Sequence, residues 1–240
     1  MGSEMCIRDR QEGGRRLRWT AKRVMDVAQR LYEGGYITYM RTDGVQIAGE
    51  AIAACRNTIS GQYGAAYLPE EARAYRSTAK NAQEAHEAIR PTDVTRLPSQ
   101  IAPYLDKDQL RLYELIWKRT IEIKMANALM ERETVDISAA DISCMLRATG
   151  SITLFDGFLK VYQEGRDDQP GNDEDRSLPN VSKGQSLTKG AVSPNQHFTE
   201  PAPRCSEATL VKRLEELGIG RPSTYASTVS YTHLTLPTKA

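Results

Sequence analysis

Gly35-Tyr36-Ile37-Thr38-Tyr39-Met40-Arg41-Thr42-Asp43-Gly44 is a run of aromatic and β-branched residues between a glycine pair and a turn signal. That pattern predicts a short strand. Alternation along a strand puts Ile37, Tyr39 and Arg41 on one face and Tyr36, Thr38 and Met40 on the other. A phenol then stands beside a guanidinium. Arginine carries a permanent charge on a planar fork that matches a phosphate, and a tyrosine oxygen is a competent covalent nucleophile. The same spacing also suits a half-buried strand whose tyrosine packs and whose arginine is solvated.

Upstream, Thr20 is a suitable cap, and Val24, Val27, Ala28 and Leu31 recur on one face of a helix over 20–33 that Gly34 and Gly35 end. Arg15, Arg16, Arg18, Lys22, Arg23 and Arg30 make this end of the chain basic, suited either to a phosphate backbone or to plain solvation. Downstream, Ile52, Cys55 and Ile59 predict a second helix ended by Gly61.

Asn81 and Glu84 form a capping box that opens a short helix closed by Pro91, with His86 and Arg90 four apart on one face. An imidazole beside a guanidinium can hold an anion or carry a proton; it can equally be a structural histidine. Asp106 and Gln109 cap a long helix to about residue 128, with Leu112, Leu115, Ile116 and Ile123 as its stripe and Trp117 in the core.

Alternating runs within 133–142 and 151–162 read as strands, and a further strand is expected over 181–187. The acidic stretch 164–176 reads as an exposed loop, because its carboxylates show no ligand spacing. Ser206 caps a last helix with Leu210, Leu214 and Leu217 on its apolar face, ended by Gly218 and Gly220. Arg221-Pro222-Ser223-Thr224 then reads as a new helix N-terminus, which suits a phosphate or a simple capped turn.

The chain has 240 residues, a net charge of +1 and 40% hydrophobic residues, as a soluble globular protein of one or two domains would. So small a charge means that any nucleic-acid contact must rest on local patches. Cys6, Cys55, Cys144 and Cys205 form no CxxC pair, which excludes a zinc site or disulfide framework and fits a reducing cytoplasm. No run reaches membrane-spanning length. Residues 1–10 and 230–240 break the surrounding patterns and read as adapter-derived, leaving about 11–229 as natural sequence.

Four blocks taken together carry a resemblance: ITYMRTD around Tyr39, KNAQEAHEAIRPTD around His86, RLYELIWKR around Trp117, and FTEPAPRCSEATLVKRLEELGIGRPSTYAS near the end. In this order they resemble the central part of type IA DNA topoisomerases, closest to bacterial DNA topoisomerase I. Gly44 stands where the family usually has serine, and Ala202 and Cys205 replace commoner proline and aromatic residues.

The resemblance implies that Tyr39 is the nucleophile, that Arg41 stabilises charge on the phosphate, and that His86 contacts the phosphate or moves a proton. It implies DNA contacts at Arg90, Arg221, Ser223 and Thr224, and single-stranded and negatively supercoiled DNA as partners of a monomeric, bacterial cytoplasmic enzyme. It implies an α+β multidomain fragment: a helical, winged-helix-like tyrosine domain over 11–125, a β-rich arch or hinge over 126–197, and the start of a helical DNA-groove domain over 198–229. Magnesium is expected in the complete enzyme, held by a toprim domain outside this chain, with no metal site here. The chain alone is then expected neither to cleave nor to relax DNA efficiently. A non-catalytic DNA-binding fragment, and a relative of topoisomerase III or reverse gyrase, are the alternative readings.

Overall fold

Helix α1 (Ala21–Glu33) begins where the sequence places its cap: Thr20 is extended, and its hydroxyl accepts the Arg23 N–H at 3.3 Å. The structure, a computed structural model, describes residues 13, 16–42, 44, 46–73, 87–139, 142–161, 179, 181–191, 193–199, 201, 205–220, 224–225 and 227–229. Ala21, Val24, Val27, Ala28 and Leu31 form the buried stripe of α1. Its C-terminus closes as a Schellman motif. The Tyr36 N–H reaches the Leu31 carbonyl and the Gly35 N–H the Tyr32 carbonyl, both at 2.9 Å, with Gly35 at φ +74°.

Helix α2 (Gly49–Tyr63) buries Ala51, Cys55 and Ile59. It runs through Gly61, the predicted stop, and ends at Gly64, which takes φ +96°. A glycine inside a helix costs only about 1 kcal/mol against alanine, so Gly61 does not break it.

A short α3 (Pro98–Ile101) leads to α4 (Lys107–Glu122). The predicted capping box is present at α4: Asp106 Oδ1 accepts the Asp108 and Gln109 N–H groups, and Gln109 Oε1 accepts the Asp106 N–H at 3.0 Å. The helix stops short of residue 128. The Lys124 and Met125 N–H groups bond back three residues to Ile121 and Glu122, and the Ala126 N–H leaves the helix for the Tyr67 carbonyl at 2.8 Å.

Helix α4 packs against α1, and Leu31, Ile37, Met40, Ile59, Leu112, Tyr113, Ile116, Trp117 and Ile121 share one core. Two buried aromatics tie the 94–96 turn to α4. The Trp117 indole N–H donates to the Val94 carbonyl at 2.8 Å, and the Tyr113 hydroxyl to that of Arg96 at 2.9 Å.

The described residues fall into two compact units, one drawn from 1–128, 156–168 and 205–240, the other from 129–155 and 169–204. The second unit holds an antiparallel hairpin, β1 (Leu129–Ala139) and β2 (Ile142–Phe155), with Asp136 opposite Arg147 and joined to it by a two-point ion pair. Relative to the predicted spans, β1 starts earlier, and β2 ends at Phe155 rather than near 162. Residues 157–160 form a 3-10 turn instead. Gly157 is the cause: it sits at φ +47° with its would-be Cβ 2.5 Å from the Asn127 carbonyl oxygen, and the Phe158 N–H bonds to Ala126 at 3.0 Å.

The strand expected over 181–187 is not formed; the Gln185 N–H closes a turn on the Ser182 carbonyl at 3.0 Å, and these residues are mostly exposed. The acidic stretch 164–176 and the two ends, 1–10 and 230–240, lie outside the described residues.

In the first unit, α5 (Glu207–Glu216) is capped by Ser206, whose hydroxyl accepts the Thr209 N–H at 3.2 Å. Its apolar face is Val211 with Leu210 and Leu214, packed on Tyr225 and Val229. Leu217, expected on that face, is 57% exposed because the helix has already turned at Gly218, with the Ile219 N–H on the Leu214 carbonyl. The chain is α+β in content, as its sequence pattern indicates.

Candidate active site

The segment carrying Tyr39 lies beside residues 87–92. The Thr92 N–H reaches the Tyr36 carbonyl at 3.0 Å and the Thr38 N–H reaches the Arg90 carbonyl at 2.9 Å, which pairs Ile37 with Pro91 in an isolated antiparallel bridge. A regular ladder would continue with the backbone of Thr38 and Met40. Instead, the Thr38 side chain replaces the next rung: its hydroxyl donates to the Ala88 carbonyl at 2.8 Å and accepts the Arg90 N–H at 3.0 Å. On its other side the 87–92 segment meets residues 46–48, where the Ala88 N–H bonds to the Gln46 carbonyl at 2.8 Å.

The predicted strand is therefore reduced to one bridge, and its faces differ from the expected ones. Ile37 is buried, whereas Tyr39 and Arg41 are exposed. The hydroxyl-filled rung ends the pairing after Thr38. From Tyr39 onward, alternation resumes, with Tyr39 and Arg41 outward and Met40 and Thr42 inward. The phenol is 47% exposed, and its ring meets Tyr32 edge-on, centroids 5.3 Å apart. Buried Thr42 accepts the Gly44 N–H at 2.9 Å, which turns the chain directly after Arg41. Tyr39 and Arg41 thus share one solvent-facing side over a buried floor. Nothing local in the sequence marks Tyr32 as the neighbour of Tyr39.

Residues 87–90 are not helical, contrary to the expected helix. Their backbone groups bond to Gln46 and Thr38, and Pro91 holds the preceding residue out of the helical region. The argument that sets His86 and Arg90 on one helix face therefore falls. His86 itself, with Asn81 and Glu84, lies outside the described residues.

Arg90, expected to meet DNA, is turned inward. Its Nε and Nη2 donate to the two Glu87 carboxylate oxygens at 2.7 and 3.1 Å, and Nη1 reaches the Pro91 and Thr92 carbonyls at 2.9 and 3.2 Å. Glu87 also accepts the Ala48 N–H at 2.8 Å, at the N-terminus of α2. Partial burial pushes the Glu87 carboxyl up, but the Arg90 and Ala48 hydrogen bonds and the Arg90 charge outweigh it, and its pKa lies below the usual glutamate value. Opposite charges three apart were the only sequence signal of this pair.

The basic face of α1 is partly neutralised. Arg23 and Arg30 pair with Asp108 and Asp106 at the start of α4, each at 2.7 Å. Of the predicted 221–224 site, only Thr224 is described; it is exposed, and its carbonyl accepts from Ser227 and Thr228. Arg221 and Ser223 lie outside the described residues. A cavity of about 360 Å³ is lined by Glu50, Cys55, Arg90 and Asp93 among others, but not by Tyr39 or Arg41. Burial pushes the Cys55 thiol to about 11, which leaves it protonated and inert. Among the described residues no three His, Cys, Asp or Glu side chains converge on a possible metal position, and no helix is long and apolar enough to cross a membrane.

Residues 10–233 match the sequence model of the DNA topoisomerase family, to which this chain belongs. DNA topoisomerase 1 of Rickettsia conorii is 52% identical over 228 residues, covering 92% of this chain and 29% of that protein. That of Zymomonas mobilis is 51% identical over 224 residues, covering 91% of this chain and 18% of its own length. Among solved structures, full-length topoisomerase I from Thermotoga maritima superposes with a TM-score of 0.70 at 33% identity, over 96% of this chain and 37% of that one. These are bacterial type IA enzymes, the family that the motifs indicate. The chain spans less than a third of the length of these curated relatives.

Proposed function

We propose that this chain is the tyrosine-bearing segment of an enzyme that breaks one DNA strand, passes another through the gap and reseals it. The observation that carries this reading is the outward pair Tyr39 and Arg41 over buried Met40 and Thr42, in a chain of the topoisomerase family.

Tyr39 Oη attacks a phosphorus of single-stranded DNA. The Oη–P bond forms as the P–O3′ bond breaks, the phenolic proton leaves, and the departing 3′-oxygen takes a proton. The product is a 5′-phosphotyrosyl link, whose bond energy drives resealing without a nucleotide. Arg41 stabilises the negative charge that develops on the phosphate. His86 serves as phosphate contact or proton carrier, and Arg221, Ser223 and Thr224 line the DNA path. Arg90 acts by holding the backbone rather than by touching DNA. Magnesium in the complete enzyme would add positive charge near the phosphate, and the described residues offer it no cluster of ligands.

In the same reading, residues 11–125 form the tyrosine domain, 126–197 the arch hinge and 198–229 the start of the DNA groove, within a cytoplasmic bacterial monomer that relaxes negative supercoils.

The test is a chimera in which residues 10–233 replace the matched segment of the Rickettsia conorii enzyme. With a single-stranded oligonucleotide and a denaturing quench, it should yield a covalent protein–DNA adduct through a 5′-phosphate. Tyr39→Phe should abolish the adduct and leave DNA affinity within about threefold, since the phenol's role is chemical. Adducts persisting in Tyr39→Phe would refute the assignment.

A further inference from the structure

Residues 87–92 are the middle member of three adjoining backbone segments, with 36–38 on one side and 46–48 on the other. Among the described residues, the hydrogen bonds to the Tyr39 side use atoms of Ala88, Arg90 and Thr92: the Ala88 and Arg90 carbonyls, the Arg90 and Thr92 N–H groups, and the Thr92 hydroxyl, which donates to the Gly35 carbonyl at 2.7 Å. Pro91 contributes no N–H, so the segment is short of backbone bonds of its own.

What shapes it is a single ion pair. Arg90 closes a two-point fork on Glu87 and, through Nη1, grips the next two carbonyls, while Glu87 extends the grip to Ala48 and hence to the start of α2. Four of the five guanidinium N–H groups serve this fold of the chain on itself. The Arg90 side chain is only 13% exposed, so water competes weakly for it.

We propose that Glu87 and Arg90 are positioning residues for strand cleavage: their ion pair sets the 88–92 backbone, which through the Thr38 hydroxyl fixes where Tyr39 stands. This rests on the reading of Tyr39 as nucleophile. The pair acts through the backbone, one peptide link from Thr38 to Tyr39, and touches neither phenol nor phosphate. Geometry at a reacting centre is costly to lose, since displacement by about 1 Å can slow a reaction on the order of a hundredfold.

The experiment uses the chimera and single-turnover adduct formation at saturating oligonucleotide. Glu87→Gln keeps an acceptor for the Ala48 N–H but loses the charge; Arg90→Lys keeps the charge but loses the fork. Each should lower the rate constant at least tenfold, with the amplitude above half of the parent's and oligonucleotide Kd within threefold. Glu87→Asp, a milder lesion that keeps the carboxylate, should show the same split at smaller size and covers the case in which the others fold poorly.

A merely structural pair would reduce amplitude and leave the rate constant of the folded fraction unchanged, which overturns the proposal. A direct phosphate contact by Arg90 would instead weaken Kd tenfold or more and flatten its salt dependence, with the saturated rate intact, and overturns it too. If Tyr39→Phe still forms adducts, the nucleophile reading fails and this proposal falls with it. If Tyr39→Phe is dead but Glu87→Gln and Arg90→Lys react at the parent rate, only the positioning role fails.

Discussion

Thr38 decides more about the site than its size suggests. Its hydroxyl stands in for a missing rung, accepting from the Arg90 N–H and donating to the Ala88 carbonyl. Thr38→Val keeps the shape and removes both bonds, leaving a backbone donor and acceptor in a part-buried place unmet. The 240-residue chain should lose about 1–3 kcal/mol in urea unfolding, with Thr38→Ser close to the parent. A loss below about 0.3 kcal/mol for Thr38→Val would show that water takes over both groups. At this scale the sequence showed which residue types to look at and hid their contacts. Tyr39 and Arg41 stand out by residue type, and the roles proposed for them rest on motif order. The faces were misassigned because period-2 alternation presumes a continuous strand, and the break after Thr38 depends on a partner segment some fifty residues away.

Helix ends were the elements most readable in advance, because a cap is a local bond between neighbours. Thr20, Asp106 and Ser206 all accept the N–H groups expected of them. Asp106→Ala should destabilise the chain by about 1 kcal/mol, measured as a shift of the urea midpoint at unchanged slope. Since Asp106 also faces Arg30 across an exposed ion pair, the loss should change little between low and high salt if the cap dominates. The stops at Gly61 and near residue 128 were misplaced for the opposite reason. One glycine is tolerated inside α2, and α4 is cut short by a bond to Tyr67, more than fifty residues upstream. Gly157 belongs to the same class: its positive φ and its backbone neighbours at 2.5–2.6 Å leave no room for a methyl group. Gly157→Ala should cost upward of about 1 kcal/mol, read in the same titration.

Over the whole molecule, stability should be uneven. Helices α1 and α4 bury a shared core, whereas the β1–β2 hairpin keeps Leu129, Met130, Met145, Leu146 and Leu154 exposed. A two-stranded sheet is marginal without a covered face. Amide exchange should therefore be slow for Leu31, Leu112 and Ile116 and faster by orders of magnitude for Val135 and Ile137, a contrast that equal protection would contradict.

Acid sensitivity follows from the Glu87 carboxyl, whose folded pKa lies below its ordinary 4.5. A depressed carboxyl contributes stability that is present above its unfolded pKa and lost as pH falls through the folded one. The difference between the parent and Glu87→Gln should be about 1–2 kcal/mol and flat from neutrality down to the ordinary value, then shrink with further acid. A difference that grows on acidification would mean that the carboxylate is not the stabilising form.

The Schellman stop at Gly35 also has a hereditary consequence. It fixes the residue at which α1 releases the chain, and the phenol follows four positions later, on the side left outward once the Thr38 hydroxyl has met Ala88 and Arg90. Beyond Thr38 the chain alternates, so a single codon gained just before Tyr39 would exchange outward for inward. It would leave every residue type of the motif intact while sending the tyrosine into the place of Met40. Substitutions along this stretch can be graded and partly tolerated, whereas length changes cannot. The count of residues from glycine to tyrosine is as much a part of the site as the oxygen at its end.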